Sequence, residues 1–279
     1  MTVTVVGIGL IGGSMALAMK EKGIARKVIG VEKSQAHQEK ALELNLVDEL
    51  LPLDKAVKAA DLVIIAVPVD ASEKLLLQVL DQVDKQAVID VGSTKEGIIE
   101  AVSRHPKRDR FVASHPMWGT EYSGPEAAVR NAFIHKAAVI CNKEESAPDA
   151  LAAVQKIYSE LGMHLVYMNA HDHDLHVAYI SHISHITSFA LANTVLEKEK
   201  EDDAIFELAS GGFESTVRLA KSNPAMWVPI FMQNRDNVLD VLNEHIVQLR
   251  KFKSCLEKEN YDYLAELIEN ANRIRRIIS

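Results

Sequence analysis

The chain has 279 residues, 48% of them apolar and 25% charged, with a net charge of −8 at neutral pH. That length allows two domains with a core each, and the acidic balance argues against a nucleic-acid backbone or an anionic membrane surface as partner. The two cysteines, Cys141 and Cys255, stand far apart with no metal-like spacing and read as reduced thiols.

The first expected strand, Thr2–Val6, begins directly after Met1, which leaves no room for a signal peptide. No apolar run reaches membrane-spanning length, so a cytoplasmic location is expected. Gly7, Gly9 and Gly12 then form G-x-G-x-x-G around Leu10 and Ile11, and apolar residues of helical period follow through Met19. In a strand–turn–helix of this kind the first glycine makes the turn and the second lets backbone approach a pyrophosphate. The third lets the helix pack close to the strand, with its N-terminal amides facing negative charge. A second β-branched strand, Lys27–Val31, runs into Glu32, about twenty residues past Gly12, where a carboxylate accepts from ribose hydroxyls. Glu32 would repel a 2′-phosphate, so the cofactor expected is NAD.

Further along, helical patterns at 36–44, 71–80, 95–103 and 149–161 alternate with apolar strands at 61–67, 87–91, 111–113, 137–141 and 164–168. Pro68 stops the third strand. Such alternation predicts an α/β fold, a Rossmann-type doubly wound parallel sheet with helices on both faces. Ligands of these sheets bind beyond the carboxyl ends of the strands, near Val67, Pro68, Ser93 and His115. After Asn169 strand signals cease and long helical patterns cover 171–196, 225–256 and 261–278. We therefore expect a dinucleotide-binding domain at 1–168 and an all-helical domain at 169–279 that completes the substrate pocket and builds a dimer. Arg273, Arg275 and Arg276 suit a solvated helix C-terminus.

Three stretches carry residues suited to chemistry. His115 precedes Pro116 at a strand end, outside regular structure, and an imidazole there suits proton removal from a hydroxyl. Ser93, at the preceding strand end, is placed to hydrogen-bond it and set its tautomer. His37, His105, His135, His164 and His245 have no such setting. His182 and His185, three apart on one helix face, suit contact with substrate, although a satisfied core histidine is the competing reading. His171, His173 and His176 come just before, and the run H-D-H-D at 171–174 resembles metal-ligand spacing, but a metallohydrolase would leave the glycine turn and Glu32 unexplained. Histidines and aspartates at a helix start commonly cap or face solvent, so no metal is expected. In the third stretch, Gly211 and Gly212 allow close backbone approach and Arg218 supplies a fork for a carboxylate. Trp118 and Trp227 suit either an apolar wall or a core.

Taken in order, Gly7 to Ser14, Val91 to Lys95, Ser114 to Glu121, Ser181 to His185, Gly211 to Arg218 and Ser222 to Trp227 resemble the prephenate and arogenate dehydrogenase family. The resemblance spans essentially the whole chain. It implies that His115 takes the proton from the ring hydroxyl of prephenate, with Ser93 orienting it. It also implies that Arg218 holds a substrate carboxylate, that His185 and His182 position the substrate with Thr120 and Gly211, and that Glu121 lines the pocket mouth. The implied reaction is oxidative decarboxylation of prephenate to 4-hydroxyphenylpyruvate with NAD, in a homodimer formed by the helical domain. Trp118 stands where the family usually has a small residue, and Ser215 and Val217 replace an often acidic and an often hydroxylated position. These departures bear on substrate preference, and Glu121 or Glu214 could meet the ammonium of arogenate. Two other readings fit the same architecture: another two-domain hydroxyacid dehydrogenase and a non-catalytic NAD-sensing protein.

Overall fold

In the computed structural model, residues 1–200 and 203–277 are described. Six parallel strands form the main sheet: β1 (Thr2–Val6), β2 (Lys27–Val31), β3 (Glu49–Leu50), β4 (Leu62–Ile65), β5 (Ala87–Asp90) and β6 (Phe111–Val112), in the order β3-β2-β1-β4-β5-β6. The chain runs outward from β1 to β3 and then returns to lay β4 on the other side of β1, with Val3 opposite both Val28 and Leu62. That reversal leaves a crevice at the carboxyl ends of β1 and β4, where ligands of doubly wound sheets bind.

The helices between these strands are α1 (Leu10–Glu21), α2 (Gln35–Glu43), α3 (Leu53–Ala59), α4 (Val69–Leu80) and α5 (Glu96–Val102), and α6 (Pro148–Glu160) follows. Side chains alternate across the sheet with period two. Val3, Val5, Leu62, Ile64 and Ile89 join Met15, Met19, Val154 and Tyr158 in one apolar cluster. Val63, Ile65 and Val88 join Leu76, Leu80 and Ile98 in another. Each such fully buried side chain contributes about 1.5–3 kcal/mol from burial alone, so the two faces together fix the strand order that shapes the crevice.

The segments 137–141 and 164–168 do not extend this sheet. A second, three-stranded sheet is made by β7 (Ser114–Pro116), β8 (Ala137–Cys141) and β9 (His164–Met168), with β7 antiparallel to β8 and β8 parallel to β9. Cys141 and Cys255 are both buried, and burial pushes the Cys141 thiol up to about 12.

Beyond β9 the described residues are helical. Asn169 caps α7 (Ala170–Val177) by accepting the Asp172 N–H at 2.7 Å, and a π-helical turn, Ala178–His182, leads into α8 (Ile183–Glu199). The Gly211–Gly212 pair opens a short helix, α9 (Gly211–Val217), and α10 (Pro224–Gln233) starts with proline in its first turn behind an Asn223 cap. The sequence pattern suggests one helix over 225–256, but α10 ends at Gln233 and α11 (Arg235–Glu257) begins two residues later. Asn234 between them is buried, its amide engaged by other groups described below. The chain divides into two compact units, the first ending at Asn234. The second contains α11 and α12 (Tyr261–Asn272), which is capped by Asn260 through the Tyr263 N–H at 3.2 Å and ends in a 3₁₀ turn, Arg273–Arg276. Ile278, the expected end of the last helix, lies outside the described residues. Among the described residues no helix is long and apolar enough to cross a membrane.

Candidate active site

Gly7 ends β1 with φ +91°, and a Cβ there would collide with the Ala66 carbonyl on the far side of the crevice. A Cβ on Gly12 would run into the Gly7 carbonyl, so α1 packs onto the turn at a distance only glycine permits. Gly9 has nothing within 4 Å of its hypothetical Cβ, which leaves room for a phosphate at the start of α1. Glu32 is held by main chain: Oε2 accepts the Ile8 N–H at 3.1 Å, and Oε1 accepts the Lys33 and Ser34 N–H groups at 2.8 and 2.9 Å. A cleft of about 740 Å³ opens here, lined among others by Gly7, Gly9, Glu32, Val67 and Pro68. His37, which had no role from sequence, also lines it. The residues present fit a dinucleotide: a glycine turn with open space at its centre and a fixed carboxylate at the ribose position.

His115 lies on β7, just beyond the carboxyl edge of the main sheet. Asp90, the last residue of β5, accepts the Ser114 N–H at 3.1 Å through Oδ1, while its carbonyl accepts the Ser114 hydroxyl at 2.8 Å. The other Asp90 oxygen takes the Gly92 N–H at 3.0 Å and the ammonium of Lys95, and both ends of that ion pair are fully buried. The loop carrying Ser93 is thereby fixed to the strand carrying His115.

Ser93 is not the partner of the His115 ring. His115 Nδ1 lies 2.9 Å from His173 Nε2, and His173 Nδ1 lies 2.7 Å from Asp174 Oδ1. Among the described residues no hydrogen bond joins Ser93 to His115; the partner of the ring comes from α7 instead. Asp174 also accepts the Lys95 and Glu96 N–H groups at 2.8 and 2.9 Å, so it closes the N-terminus of α5. Sequence reasoning passed over His173 and Asp174 as solvated or capping. Asp174 does cap a helix, but not its own, and both side chains are buried. The run His171-Asp172-His173-Asp174 was the available signal. His171 takes a different partner, Glu96 Oε1 at 3.1 Å.

The π-helical turn places His182 and His185 in different surroundings. His182 is buried, edge-on to Trp227 and Phe231. His185 is partly buried and stacks on Trp227 with ring centroids 3.5 Å apart. Asn234 donates from Nδ2 to the Asp174 carbonyl at 2.6 Å and lies 3.1 Å from His182 Nδ1. An amide nitrogen only donates, so His182 Nδ1 accepts and its proton sits on Nε2. His185 Nδ1 lies 3.0 Å from the Ser181 carbonyl, which only accepts, so its lone pair is on Nε2. Among the described residues the buried indole Nε1 of Trp227 has no hydrogen-bond partner.

Burial lowers the pKa of each of these rings. His115 is pushed well below its ordinary 6.5, chiefly by burial and then by His173, Lys95 and His182. His173 is lowered by burial, against its bond to Asp174. His182 falls to about 4, again through burial, and His185 is lowered by burial with Arg218 adding to it. These four histidines are neutral near pH 7, and His115 is suited to accept a proton.

Arg218 begins the 3₁₀ turn after α9 and pairs with Glu121, Nη1 to Oε2 at 2.6 Å. Thr120 accepts the Tyr122 N–H at 3.3 Å in the same loop as Glu121. Among the described residues a Cβ on Gly211 or Gly212 would meet nothing within 4 Å, so their packing does not require glycine there. Trp118 packs edge-on to Phe133, with ring centroids 5.6 Å apart, against the core.

A family model described as prephenate dehydrogenase, nucleotide-binding domain, matches residues 15–167, and one described as prephenate dehydrogenase, dimerization domain, matches residues 169–270. The chain is 31% identical over 278 residues to the prephenate dehydrogenase of Bacillus subtilis (strain 168), covering 98% of this chain and 75% of that protein. It is 30% identical over 276 residues to the cyclohexadienyl dehydrogenase of Zymomonas mobilis, covering 98% and 94%. Among solved structures, prephenate dehydrogenase from A. aeolicus in complex with hydroxyphenyl propionate and NAD+ is similar at a TM-score of 0.91 and 27% identity, over 100% of this chain and 98% of that one.

Proposed function

Because the chain belongs to the prephenate dehydrogenase family, we infer that it catalyses the oxidative decarboxylation of prephenate to 4-hydroxyphenylpyruvate with NAD, in tyrosine biosynthesis. The observation that carries the mechanism is the His115 imidazole, neutral and partly buried, fixed at the carboxyl edge of the sheet. The glycine turn and Glu32 would hold NAD, which when bound would supply the two-electron acceptor. His115 takes the proton of the ring hydroxyl. As that oxygen becomes a carbonyl, the hydrogen on its carbon leaves with two electrons, which bound NAD would accept; the bond between ring and carboxylate breaks, carbon dioxide leaves, and its electron pair passes through the ring to the carbonyl oxygen, which recovers a proton as the phenol. Aromatisation drives the sequence, so the chain's task is to place and deprotonate.

Arg218 is assigned to a substrate carboxylate, with Glu121 as the partner it gives up. His182, His185, Thr120 and Gly211 are assigned to the substrate, and Gly7, Gly9, Leu10, Ile11, Gly12, Val67, Pro68 and Ser93 to the cofactor. Ser93 stays a catalytic candidate through the ring hydroxyl or the cofactor, since His173 holds the imidazole. We place the domain boundary near residue 168: β9 ends there, and only helices follow among the described residues. The more compact division falls at Asn234, because residues 169–234 pack on the sheet domain. A homodimer built by the helical region and a cytoplasmic location complete the reading, in keeping with the family model's dimerization domain.

One observation favours arogenate as a second substrate. The His185 Nε2 lone pair would accept from an ammonium, which arogenate carries and prephenate lacks. Product analysis tests the main reading: each prephenate consumed yields one 4-hydroxyphenylpyruvate, one carbon dioxide and one reduced NAD. Oxidation without carbon dioxide release would contradict it.

A further inference from the structure

Asp174 fixes the direction of every proton between itself and His115. Main-chain N–H groups can only donate, and Asp174 accepts one on each oxygen, from Lys95 and from Glu96. Its Oδ1, already taking the Lys95 N–H, is therefore an acceptor toward His173 Nδ1 at 2.7 Å as well. A neutral His173 with its proton on Nδ1 has a lone pair on Nε2. His115 Nδ1 stands 2.9 Å from that lone pair and must donate to it, which leaves the His115 lone pair on Nε2. We propose that Asp174 and His173 are positioning residues that lock His115 in the Nδ1–H tautomer and so choose Nε2 as the atom that accepts the substrate proton.

The surroundings support a built device. His173 and Asp174 are 0% and 2% exposed, so water does not compete for these bonds. Both imidazoles are shifted down by burial, which keeps them in the neutral forms the chain of donors requires. The other titratable groups acting on the pair are Lys95 and Asp90, which are paired with each other, and the neutral His182. Asn234 donates to the Asp174 main-chain carbonyl and to His182, so the start of the substrate helices is tied to the same residue that orients the base. The carboxylate also closes the N-terminus of α5, one residue past the loop that carries Ser93.

This inference rests on the assignment of His115 as the base, and its test does not depend on which substrate is turned over. In full-length protein labelled with ¹⁵N at histidine, nitrogen shifts report each tautomer, and His115→Asn identifies the His115 signals by their loss. The expected spectrum near pH 7 has pyrrole-type Nδ1 and pyridine-type Nε2 on both His115 and His173. An Nε2–H tautomer at either ring overturns the relay, even in an enzyme that turns prephenate over. A folded protein with the expected tautomers but no prephenate turnover would instead remove the proposed reaction and leave the relay standing.

Kinetics give an independent arm. His173→Phe deletes the acceptor and is expected to lower kcat about 10–100-fold, the loss typical when a partner that orients a functional imidazole is removed. KM and NAD affinity should stay within about twofold, since neither ligand touches His173 in this account. His173→Gln returns an acceptor oxygen and is expected to keep more of kcat than the Phe variant. Equal kcat for wild type and a folded His173→Phe variant would overturn the proposal. Should His173→Phe fail to fold, the wild-type tautomers and the His173→Gln comparison decide it.

Discussion

Arg218 and Glu121 hold each other at 2.6 Å, the carboxylate side chain 10% exposed and the guanidinium side chain 49% exposed. The acid lies in the loop that follows β7 and the base in the turn that follows α9, so the pair joins the segment after His115 to the helical region. A substrate carboxylate that takes the guanidinium competes with Glu121 for it. Arg218→Gln should raise KM about 10–150-fold, the range of a charge-assisted hydrogen bond of roughly 1.5–3 kcal/mol, with kcat little changed. Glu121→Gln should lower KM by up to about fivefold, because a partly exposed pair contributes only about 0–1 kcal/mol. Steady-state kinetics with prephenate separate the two, and a loss confined to kcat in Arg218→Gln would remove Arg218 as the carboxylate anchor.

His115→Asn should cut kcat about 10²–10⁴-fold, as expected for loss of a general base, while NAD affinity by fluorescence titration stays the same. In the wild-type enzyme the acid limb of kcat/KM should lie below pH 6.5. The active form is the unprotonated ring, and its pKa is pushed well under that value by burial. An acid limb at or above pH 6.5 would mean that another group titrates.

Glu32→Gln should weaken NAD binding and narrow the preference over NADP. The carboxylate is anchored by three main-chain N–H groups and cannot swing away from an added 2′-phosphate. Gln keeps one acceptor oxygen and loses the charge that repels the phosphate. The ratio of kcat/KM for the two cofactors checks this, and an unchanged ratio would place selectivity elsewhere.

Acid should destabilise the fold through His182. The unfolded chain binds this proton near the ordinary histidine pKa, whereas burial in the folded chain delays it to about 4. Between these values the unfolded state holds more protons, so stability falls as pH drops from about 6.5 toward 4, by on the order of 3 kcal/mol in all. Thermal melts across this range should show a shallower slope for His182→Gln than for wild type. Parallel slopes would mean that His182 is not held neutral by the fold.

Local features of the site were legible in the sequence. The glycine turn depends on residues within one strand–turn–helix, and Glu32 reaches the turn from the neighbouring strand, so spacing alone located them. Pro116 draws attention to His115, but the expectation that the residue lies outside regular structure does not hold: it sits on β7, opposite Val139. The relay partner was not legible, since His173 reaches His115 only through the packing of α7 on the strand ends, 58 residues away. Local pattern gave Ser93 that place, because it ignores what a later helix brings in. The helix expected over 225–256 was divided for a similar reason: Asn234 breaks it where its amide serves Asp174 and His182. Apolar period continues through the break and carries no trace of that recruitment.

The most direct test of the central claim is the initial rate of NAD reduction with prephenate, set beside arogenate and with NADP as the alternative acceptor. The account predicts turnover of prephenate with NAD, a larger kcat/KM than with NADP, and loss of that turnover in His115→Asn. No NAD reduction with prephenate by the folded wild-type enzyme would contradict it.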